Sequence, residues 1–215
     1  CHAVPGRWHV MGVTQGAGLS LRWLRDILGI SRGPAHATGD PYDQLCEEAA
    51  QAPPGADGVM WAPYLMGERT PHLDPHARAA LVGLSASHTR AHVTRAVLEG
   101  VAFSLRDTFT ILEEMGVPTT QIRLGGGGAR SRLWRQIQAD VYGHDVELLA
   151  AEEGAAYGAA LLAGVGAGQW ATVEEACSCV VRVTDTVTPV AADVEVLRTR
   201  YDRFRTLYAA LHPAS

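Results

Sequence analysis

Four consecutive glycines, residues 125–128, separate a short apolar run from a segment whose pattern predicts a helix. Glycine loses more conformational freedom on folding than any other residue, so such a run is costly unless the backbone needs it. Two explanations are open at this point. The glycines form a loose connector, or they form bare backbone against which a flat or phosphorylated ligand lies, at the N-terminus of a helix that follows a strand.

The hydrophobic pattern predicts strands and helices that alternate along the chain. Predicted strands cover residues 7–14, 57–65, 121–124, 145–149 and 179–187, and predicted helices cover residues 19–28, 42–52, 89–115, 131–142, 153–165 and 193–211. Residues 31–41 are predicted to form a loop. Alternation of this kind predicts an α/β fold with a largely central sheet.

The basic residues exclude two familiar phosphate-binding schemes. All 18 are arginine, and the chain of 215 residues contains no lysine. A Walker A loop and a protein kinase both need a lysine that reaches the nucleotide phosphates. With 47% apolar residues and a net charge of −5, the composition predicts a globular protein that binds neither nucleic acid nor a membrane.

The cysteines predict reduced thiols and a cytoplasmic location. Cys1, Cys46, Cys177 and Cys179 include no CxxC pair, and the spacing between the last two is too short for the usual zinc or redox motifs. Proteins of reducing compartments keep such thiols unpaired.

The glycine run fits the dinucleotide-binding fingerprint GxGxxG only in part. Gly126 and Gly128 supply the first two glycines, but Ser131 occupies the third position. The acidic residue expected about 20 residues later has only Glu147 or Glu152 as candidates. Spacing alone therefore leaves nucleotide binding and a structural turn equally open.

Several longer segments follow one another in a recognisable order. Residues 79–99 carry a spaced pattern that consists of Ala79, Leu81, Gly83-Leu84, a seven-residue gap, His92-Val93 and Ala96-Val97-Leu98-Glu99. Around it stand GVTQGAGLSLRWLRD, PYLMGERTPHLDPHARAALVGL, LGGGGARSRLWRQIQADVYG and EEGAAYGAALLAG. Together these segments, which span nearly the whole chain, resemble the C-terminal half of the FGGY carbohydrate kinases. Within that family they are most similar to the members that phosphorylate xylulose.

The resemblance implies an ATP-dependent sugar kinase with two domains of the actin-like, ribonuclease H-like fold. Residues 1–215 would be the C-terminal, ATP-binding domain, and the sugar-binding N-terminal domain would lie outside this chain. The whole enzyme would use ATP and Mg²⁺ to phosphorylate D-xylulose to D-xylulose 5-phosphate. Glycerol, ribulose and gluconate are alternative substrates within the family.

The resemblance also implies a set of nucleotide-binding residues. They lie in the glycine run, on the predicted helix that follows it, and near the start of the predicted helix 19–28. In the glycine run it implies that missing side chains let adenosine and the α-phosphate approach the backbone. Arg132 would lie near the adenine, whereas Arg22 would either cover the base with its planar guanidinium or meet a phosphate. The full implied set is Gly18, Arg22, Gly126, Gly127, Gly128, Ala129 and Arg132.

No catalytic residue is assigned in this chain. The aspartate that accepts the proton of the sugar hydroxyl in the resembling enzymes belongs to a Gly-Asp motif upstream of the matching segments, and Gly39-Asp40, followed by Pro41, does not match it. We therefore expect a piece of a longer protein that does not turn over alone. Its expected partners are its own N-terminal domain, a sugar and a second copy in a homodimer. A non-catalytic nucleotide-binding or oligomerisation module remains the alternative from another class.

Two pairs of side chains are given a structural interpretation. His88 and His92 lie four residues apart, but no third ligand is evident, so we predict no metal site. Glu68 and Arg69 are interpreted as an ion pair that fixes a loop, with a position facing the interdomain cleft as the alternative.

The predicted helix 153–165 has acidic residues at its start and small residues along one side. Glu152 and Glu153 are favoured there by the helix dipole and predict no catalytic pair. A smooth face for close packing of this helix against the core of the domain is predicted from Ala155, Ala156, Gly158, Ala159 and Ala160.

Overall fold

The computed structural model describes residues 2–30, 40–150 and 154–211. The helices are α1 (Ala17–Ile27), α2 (Pro41–Ala49), α3 (Arg90–Glu114), α4 (Arg132–Tyr142), α5 (Gly154–Gly166), α6 (Val173–Val180) and α7 (Ala191–Leu211). The strands are β1 (Met60–Ala62), β2 (Ala80–Val82), β3 (Ile122–Leu124), β4 (Val146–Leu149) and β5 (Val183–Val187). The mixture of helices and strands confirms the predicted α/β class.

The strands form two sheets instead of the single central sheet that the sequence predicted. In the first, β1 and β2 pair antiparallel. In the second, the order is β3-β4-β5, with β3 parallel to β4 and β5 antiparallel to β4. Helix α3 packs against β1 of the first sheet and against α4. Helix α4 in turn packs against β4 and β5 of the second sheet.

Helix α3 is the centre of the molecule. Every residue from Thr94 to Ser104 is buried, because β1, α2, α4 and α7 pack around this helix. Two of its buried charged side chains pair with each other: Arg95 Nε donates to Glu99 at 2.7 Å, and Glu99 also accepts from the backbone N–H of Gly55 at 3.0 Å. Removing either partner would leave an unpaired charge inside the protein, which is strongly destabilising.

The unit β3–α4–β4 carries the glycine run. Ser131 caps α4 because its side chain accepts a hydrogen bond from Trp134 N at 3.3 Å, and Gly143 ends the helix in the left-handed conformation at φ 67°. This parallel crossover places the residues that follow β3 at the entrance to α4, as the sequence predicted.

The secondary structure differs from the prediction in several places. Residues 7–14 form no strand, since the only sheet-like bonding there is between Val13 and the loop residue Thr70. The predicted strand 179–187 starts only at Val183, because Cys179 and Val180 end helix α6, which was not predicted. Strand β2 was not predicted either. The predicted loop 31–41 falls mostly outside the described residues.

The prediction that α5 packs its small side chains against the domain core is also wrong. Ala155, Ala156 and Ala159 are exposed. The helix instead packs against α6: the hydroxyl of Tyr157 donates to Val180 O at 3.0 Å. Glu152 and Glu153 lie outside the described residues.

Candidate functional site

The loop after β3 follows a path that only glycine can take. Gly126 has φ 78° and ψ 176°, a region that is closed to residues with a side chain. A single 3-10 turn at residues 127–130 follows, and Ser131 then caps α4. We call residues 125–130 the glycine loop.

Only two of the four glycines are required by the protein itself. Gly126 is required by its backbone conformation, and a Cβ on Gly128 would lie 3.1 Å from Trp134 Nε1. A Cβ on Gly125 or Gly127 would meet no protein atom within 4 Å, and neither residue has a left-handed backbone. The missing side chains at these two positions therefore leave open space beside the loop, which favours a surface for a ligand over a packing requirement.

The loop is held in place from the side of α4. Ala129 N donates to Gly126 O at 3.1 Å and Ser131 N donates to Gly128 O at 3.2 Å. Arg135 on α4 donates from Nε to the carbonyl of Ala129, and its guanidinium lies 3.7 Å from the carboxylate of Asp185 on β5. A glycine-rich segment that would otherwise be flexible is thus given one conformation.

A cavity of about 510 Å³ lies between the glycine loop and helices α1, α2, α3 and α4. We call it the loop cavity. Its size falls within the range of small-molecule sites. It is lined by Ala17, Gly18 and Leu21 of α1; Asp40, Tyr42, Asp43 and Cys46 at and in α2; Val97, Leu98, Val101 and Leu105 of α3; Leu124, Gly125 and residues 127–131 of the loop; and Trp134 and Gln138 of α4.

The walls of the loop cavity differ in polarity. Helix α3 contributes only aliphatic side chains, whereas the start of α2 contributes two carboxylates, Asp40 and Asp43. Asp40 caps α2 by accepting from Tyr42 N at 3.0 Å, and the hydroxyl of Tyr42 accepts from Arg25 at 2.8 Å. The cavity therefore offers an apolar surface for a flat ring, next to a bare backbone surface at the glycines.

Cys46 contributes a neutral thiol to the wall. Burial raises the pKa of this thiol above its ordinary value, and a hydrogen bond with Ser131 offsets only part of that effect. The residue thus behaves as a small apolar side chain. The charged groups near its thiol are carboxylates, whereas a nucleophilic cysteine is activated by electropositive surroundings.

The structure brings together four of the seven residues predicted to bind nucleotide. Gly18, Gly127, Gly128 and Ala129 all line the loop cavity, although Gly18 is more than a hundred positions away in sequence. Gly126 lines a second cavity of about 560 Å³ on the β4–β5 side of the loop.

The two predicted arginines are not part of the cavity walls. Arg22 and Arg132 are exposed on α1 and α4 and line neither of the two cavities. Any contact that they make with a ligand would be at the rim.

Sequence reasoning missed the apolar part of the cavity. Val97, Val101 and Leu105 are apolar residues at helical spacing, but nothing in that spacing shows that they border a cavity. Trp134 was also missed. A tryptophan three residues after a helix-capping serine, directly beyond a glycine run, is the signal that could have drawn attention to it.

The histidine pair has a structural role. His92 Nδ1 accepts from Thr89 N at 3.2 Å and so completes a capping box, while His92 Nε2 lies 3.1 Å from the Asp57 carboxylate. Across residues 2–30, 40–150 and 154–211 there is no group of three residues that could hold a metal ion.

The predicted ion pair between Glu68 and Arg69 is not among those of the described residues. Instead, the main-chain N–H of Arg69 donates to the Glu68 carboxylate at 2.7 Å. Glu68 is only 3% exposed, so it lies inside the domain.

Comparison with known sequences decides the family. The profile of the C-terminal domain of the FGGY family of carbohydrate kinases matches residues 2–167. The chain belongs to the FGGY family. The xylulose kinase of Staphylococcus epidermidis is 35% identical over 211 residues, 98% of this chain and 40% of that protein. The gluconokinase of Bacillus subtilis is 39% identical over 166 residues, 75% of this chain and 32% of that protein.

Solved structures show the same relationship. A xylulose kinase from Rhodospirillum rubrum superposes with a TM-score of 0.81 and 38% identity, over 94% of this chain and 39% of that one. The chain therefore has the fold of the C-terminal lobe of an actin-like ATPase, as predicted. It spans about 40% of the length of the FGGY relatives that it matches.

The FGGY signature at residues 79–99 has a clear structural basis. A Cβ on Gly83, which has φ +88°, would lie 2.6 Å from Gly58 O, and His92 completes the capping box of α3. Ala96, Leu98 and Glu99 are buried in that helix. The signature therefore fixes the start of α3, whose next turns line the loop cavity.

None of the described helices is both long and apolar enough to cross a bilayer.

Proposed function

We propose that this chain is the ATP-binding part of a two-domain sugar kinase that phosphorylates D-xylulose. The observation that carries the proposal is the open space beside Gly125 and Gly127, on a loop between a parallel strand and a helix. Phosphoryl transfer depends on positioning and on neutralising charge, so a backbone surface that admits phosphates closely is the contribution expected of such a lobe.

The walls suggest how a nucleotide lies in the loop cavity. The base would stack on the apolar side formed by Val97, Val101 and Leu105, and the sugar-phosphate part would pass over the glycine loop. The carboxylates of Asp40 and Asp43 would repel phosphate, which supports placing the phosphates away from α2. Gly18 would face the nucleotide from α1, and Arg22 and Arg132 would reach it from the rim.

Mg²⁺ would enter with ATP and neutralise the phosphate charge. The described residues contain no cluster of three potential ligands, so the fit within this lobe is to a metal that is held chiefly by the nucleotide phosphates. Residues 1–215 would form one lobe, and an N-terminal domain would supply the sugar contacts and the base that accepts the hydroxyl proton. Homodimerisation and a cytoplasmic location stay predictions.

The choice of xylulose rests on coverage by relatives. Xylulose kinases of Staphylococcus epidermidis and Escherichia coli match 98% and 99% of the chain at 35% and 36% identity. The Bacillus subtilis gluconokinase is slightly more identical but over a shorter stretch. Gluconate is therefore the alternative substrate to be tested first.

The experiment is a coupled assay of ADP release with this chain joined to its own N-terminal domain, because that domain would supply the sugar contacts. D-xylulose, gluconate, ribulose and glycerol are offered in turn, and thermal unfolding confirms that the protein is folded. ADP release that depends on D-xylulose supports the proposal. Faster ADP release with gluconate would make gluconate the substrate in place of D-xylulose. The chain alone should release no ADP. A folded two-domain protein that releases none with any acceptor contradicts the kinase assignment.

A further inference from the structure

The carboxylate of Glu68 lies buried where three separate parts of the chain meet. Thr14 Oγ1 donates to Glu68 Oε2 at 2.9 Å, and Gln15 N donates to Oε1 at 3.0 Å. From α3, the hydroxyl of Ser104 lies 3.3 Å from Oε2 and 3.0 Å from Thr14 Oγ1. Together with Arg69 N, these donors connect the segment before α1, the loop after β1 and helix α3.

The partners of Glu68 are all neutral within the part of the chain that the structure describes. A buried carboxylate is costly unless hydrogen bonds replace its hydration. Here main-chain N–H groups satisfy one oxygen and hydroxyls satisfy the other. Since every donor must stay in place to offset that cost, the arrangement holds the three segments in one relative position.

The position that Glu68 fixes is that of helix α1. Thr14 and Gln15 lead directly into α1, and Val13 exchanges hydrogen bonds with Thr70 at 3.0 Å in each direction. At the helix start, Gly16 lies so close to the neighbouring loop that a Cβ would be 1.9 Å from Pro63 O. The first turn of α1 therefore has no freedom to shift while the Glu68 bonds hold.

Helices α1 and α3 pack against each other, and both line the loop cavity. Gly18 and Leu21 line it from α1, and Val101 and Leu105 line it from α3, on either side of Ser104 in sequence. Glu68 does not line the cavity. We propose that Glu68 is a positioning residue for nucleotide binding: through Thr14, Gln15 and Ser104 it holds α1 in its position against α3, and so sets the shape of the cavity that both helices line. This inference rests on the proposed function.

The test compares two replacements of Glu68 with a matched control. In Glu68→Leu all the hydrogen bonds are lost. In Glu68→Gln the amide oxygen can still accept from the two main-chain N–H groups, while its NH₂ donates to hydroxyls that can reorient. The control is Asp140→Leu, since Asp140 is also a buried carboxylate with neutral donors, Val190 N at 2.7 Å and Gln136 Nε2 at 2.8 Å, and lies outside the cavity wall.

Two readouts separate positioning from general destabilisation. The first is hydrogen exchange of residues 14–28, which needs no ligand, and the second is the affinity for Mg-ADP. We expect Glu68→Leu to speed exchange in this segment and to weaken ADP binding by at least about tenfold. Glu68→Gln should bind Mg-ADP within about threefold of the parent affinity. In Asp140→Leu, both the hydrogen exchange of residues 14–28 and the affinity for Mg-ADP should stay near the parent values. If Glu68→Leu does not fold, Thr14→Val carries the same test with a smaller expected effect.

Equal loss of ADP affinity in Glu68→Leu and Asp140→Leu would overturn the proposal, because Glu68 would then act only through global stability. Unchanged exchange in residues 14–28 of Glu68→Leu would overturn it as well. If the parent binds no ADP, the proposed function fails, whereas faster exchange confined to residues 14–28 still supports Glu68 as the residue that holds α1.

Discussion

Gly128 lies against the indole of Trp134, so that a Cβ at this glycine would begin 3.1 Å from Nε1 and 3.3 Å from Cδ1. Gly125, three residues earlier, faces open space. Two glycines in the same loop thus have different reasons to be glycine, and the difference can be measured.

The first prediction concerns these two positions. Gly128→Ala should force Trp134 to move by a few tenths of an ångström and lower the free energy of unfolding by about 1 kcal/mol, as overpacking does. Gly125→Ala should change stability by less than about 0.5 kcal/mol. Urea unfolding followed by tryptophan fluorescence gives both values. Equal losses at the two positions would contradict the assignment of Gly128 to packing.

Gly18 should show opposite effects on stability and on binding. It is a helical residue of α1 with open space around it, so Gly18→Ala should stabilise the chain by up to about 1 kcal/mol through helix propensity. The new methyl group would project into the space of the loop cavity and weaken Mg-ADP binding severalfold. Gly158→Ala in α5, also without neighbours within 4 Å, is the control and should stabilise the chain without affecting binding. Unchanged ADP affinity in Gly18→Ala would remove Gly18 from the site.

Asp107 should make the chain less stable as pH rises. Burial raises the pKa of this carboxyl above 3.8, although Tyr201, which keeps its proton because burial raises its pKa to about 12, donates a hydrogen bond to it. The contribution of Asp107 is fully present below pH 3.8 and is lost as pH rises through the raised value, because the unfolded chain releases this proton more readily.

Asp107→Asn should therefore remove that decline. The amide oxygen can still accept from Tyr201, so the variant should gain stability relative to the parent as pH rises from about 4 and keep the gain at neutral pH. Urea unfolding at a series of pH values measures the difference, with the exposed Asp202→Asn as the control for charge. If the stability difference between Asp107→Asn and the parent shrinks as pH rises, the raised pKa of Asp107 is contradicted.

Cys46 should react slowly and respond to nucleotide. Its buried thiol has a raised pKa, whereas Cys179 is exposed, so alkylation at pH 8 should modify Cys179 well before Cys46. Because Cys46 lines the loop cavity, Mg-ADP should slow its modification further and leave that of Cys179 unchanged. Mass spectrometry of the labelled peptides distinguishes the two sites. If the rate of Cys46 labelling is the same with and without Mg-ADP, the nucleotide does not occupy this cavity.

The sequence predicted the elements whose pattern is strong and local. Helix α3 was placed within one residue at each end, since its apolar side extends over many turns. The valines at positions 180 and 181 favour a strand, yet Cys179 and Val180 belong to helix α6, so the predicted strand began too early. Its start carries a signal that was available: Thr172 accepts from Glu175 N at 3.1 Å, and a threonine followed three residues later by glutamate is a helix-start pattern.

The candidate site was predictable only at positions where the residue type itself indicates a function, as in the glycine run. The glycine run pointed to bare backbone, and the structure gives it a neighbouring cavity. Other walls of the cavity come from α1 and α3, which are distant from the loop in sequence and reach it only through tertiary packing. No periodicity could show that Leu105 lines a cavity while Ala96, on the same helix, packs with Ala56 and Val59 in the core.

The central claim is that the glycine loop is a surface for nucleotide. Calorimetric titration of Mg-ADP into this chain, into Gly127→Val and into the control Gly158→Val tests it most directly, since both glycines have open space and no left-handed backbone. We predict that the parent and the control bind, and that Gly127→Val binds at least about tenfold more weakly while remaining folded. A folded parent without binding at about 1 mM ADP, or a Gly127→Val variant that binds as the parent does, would contradict the account.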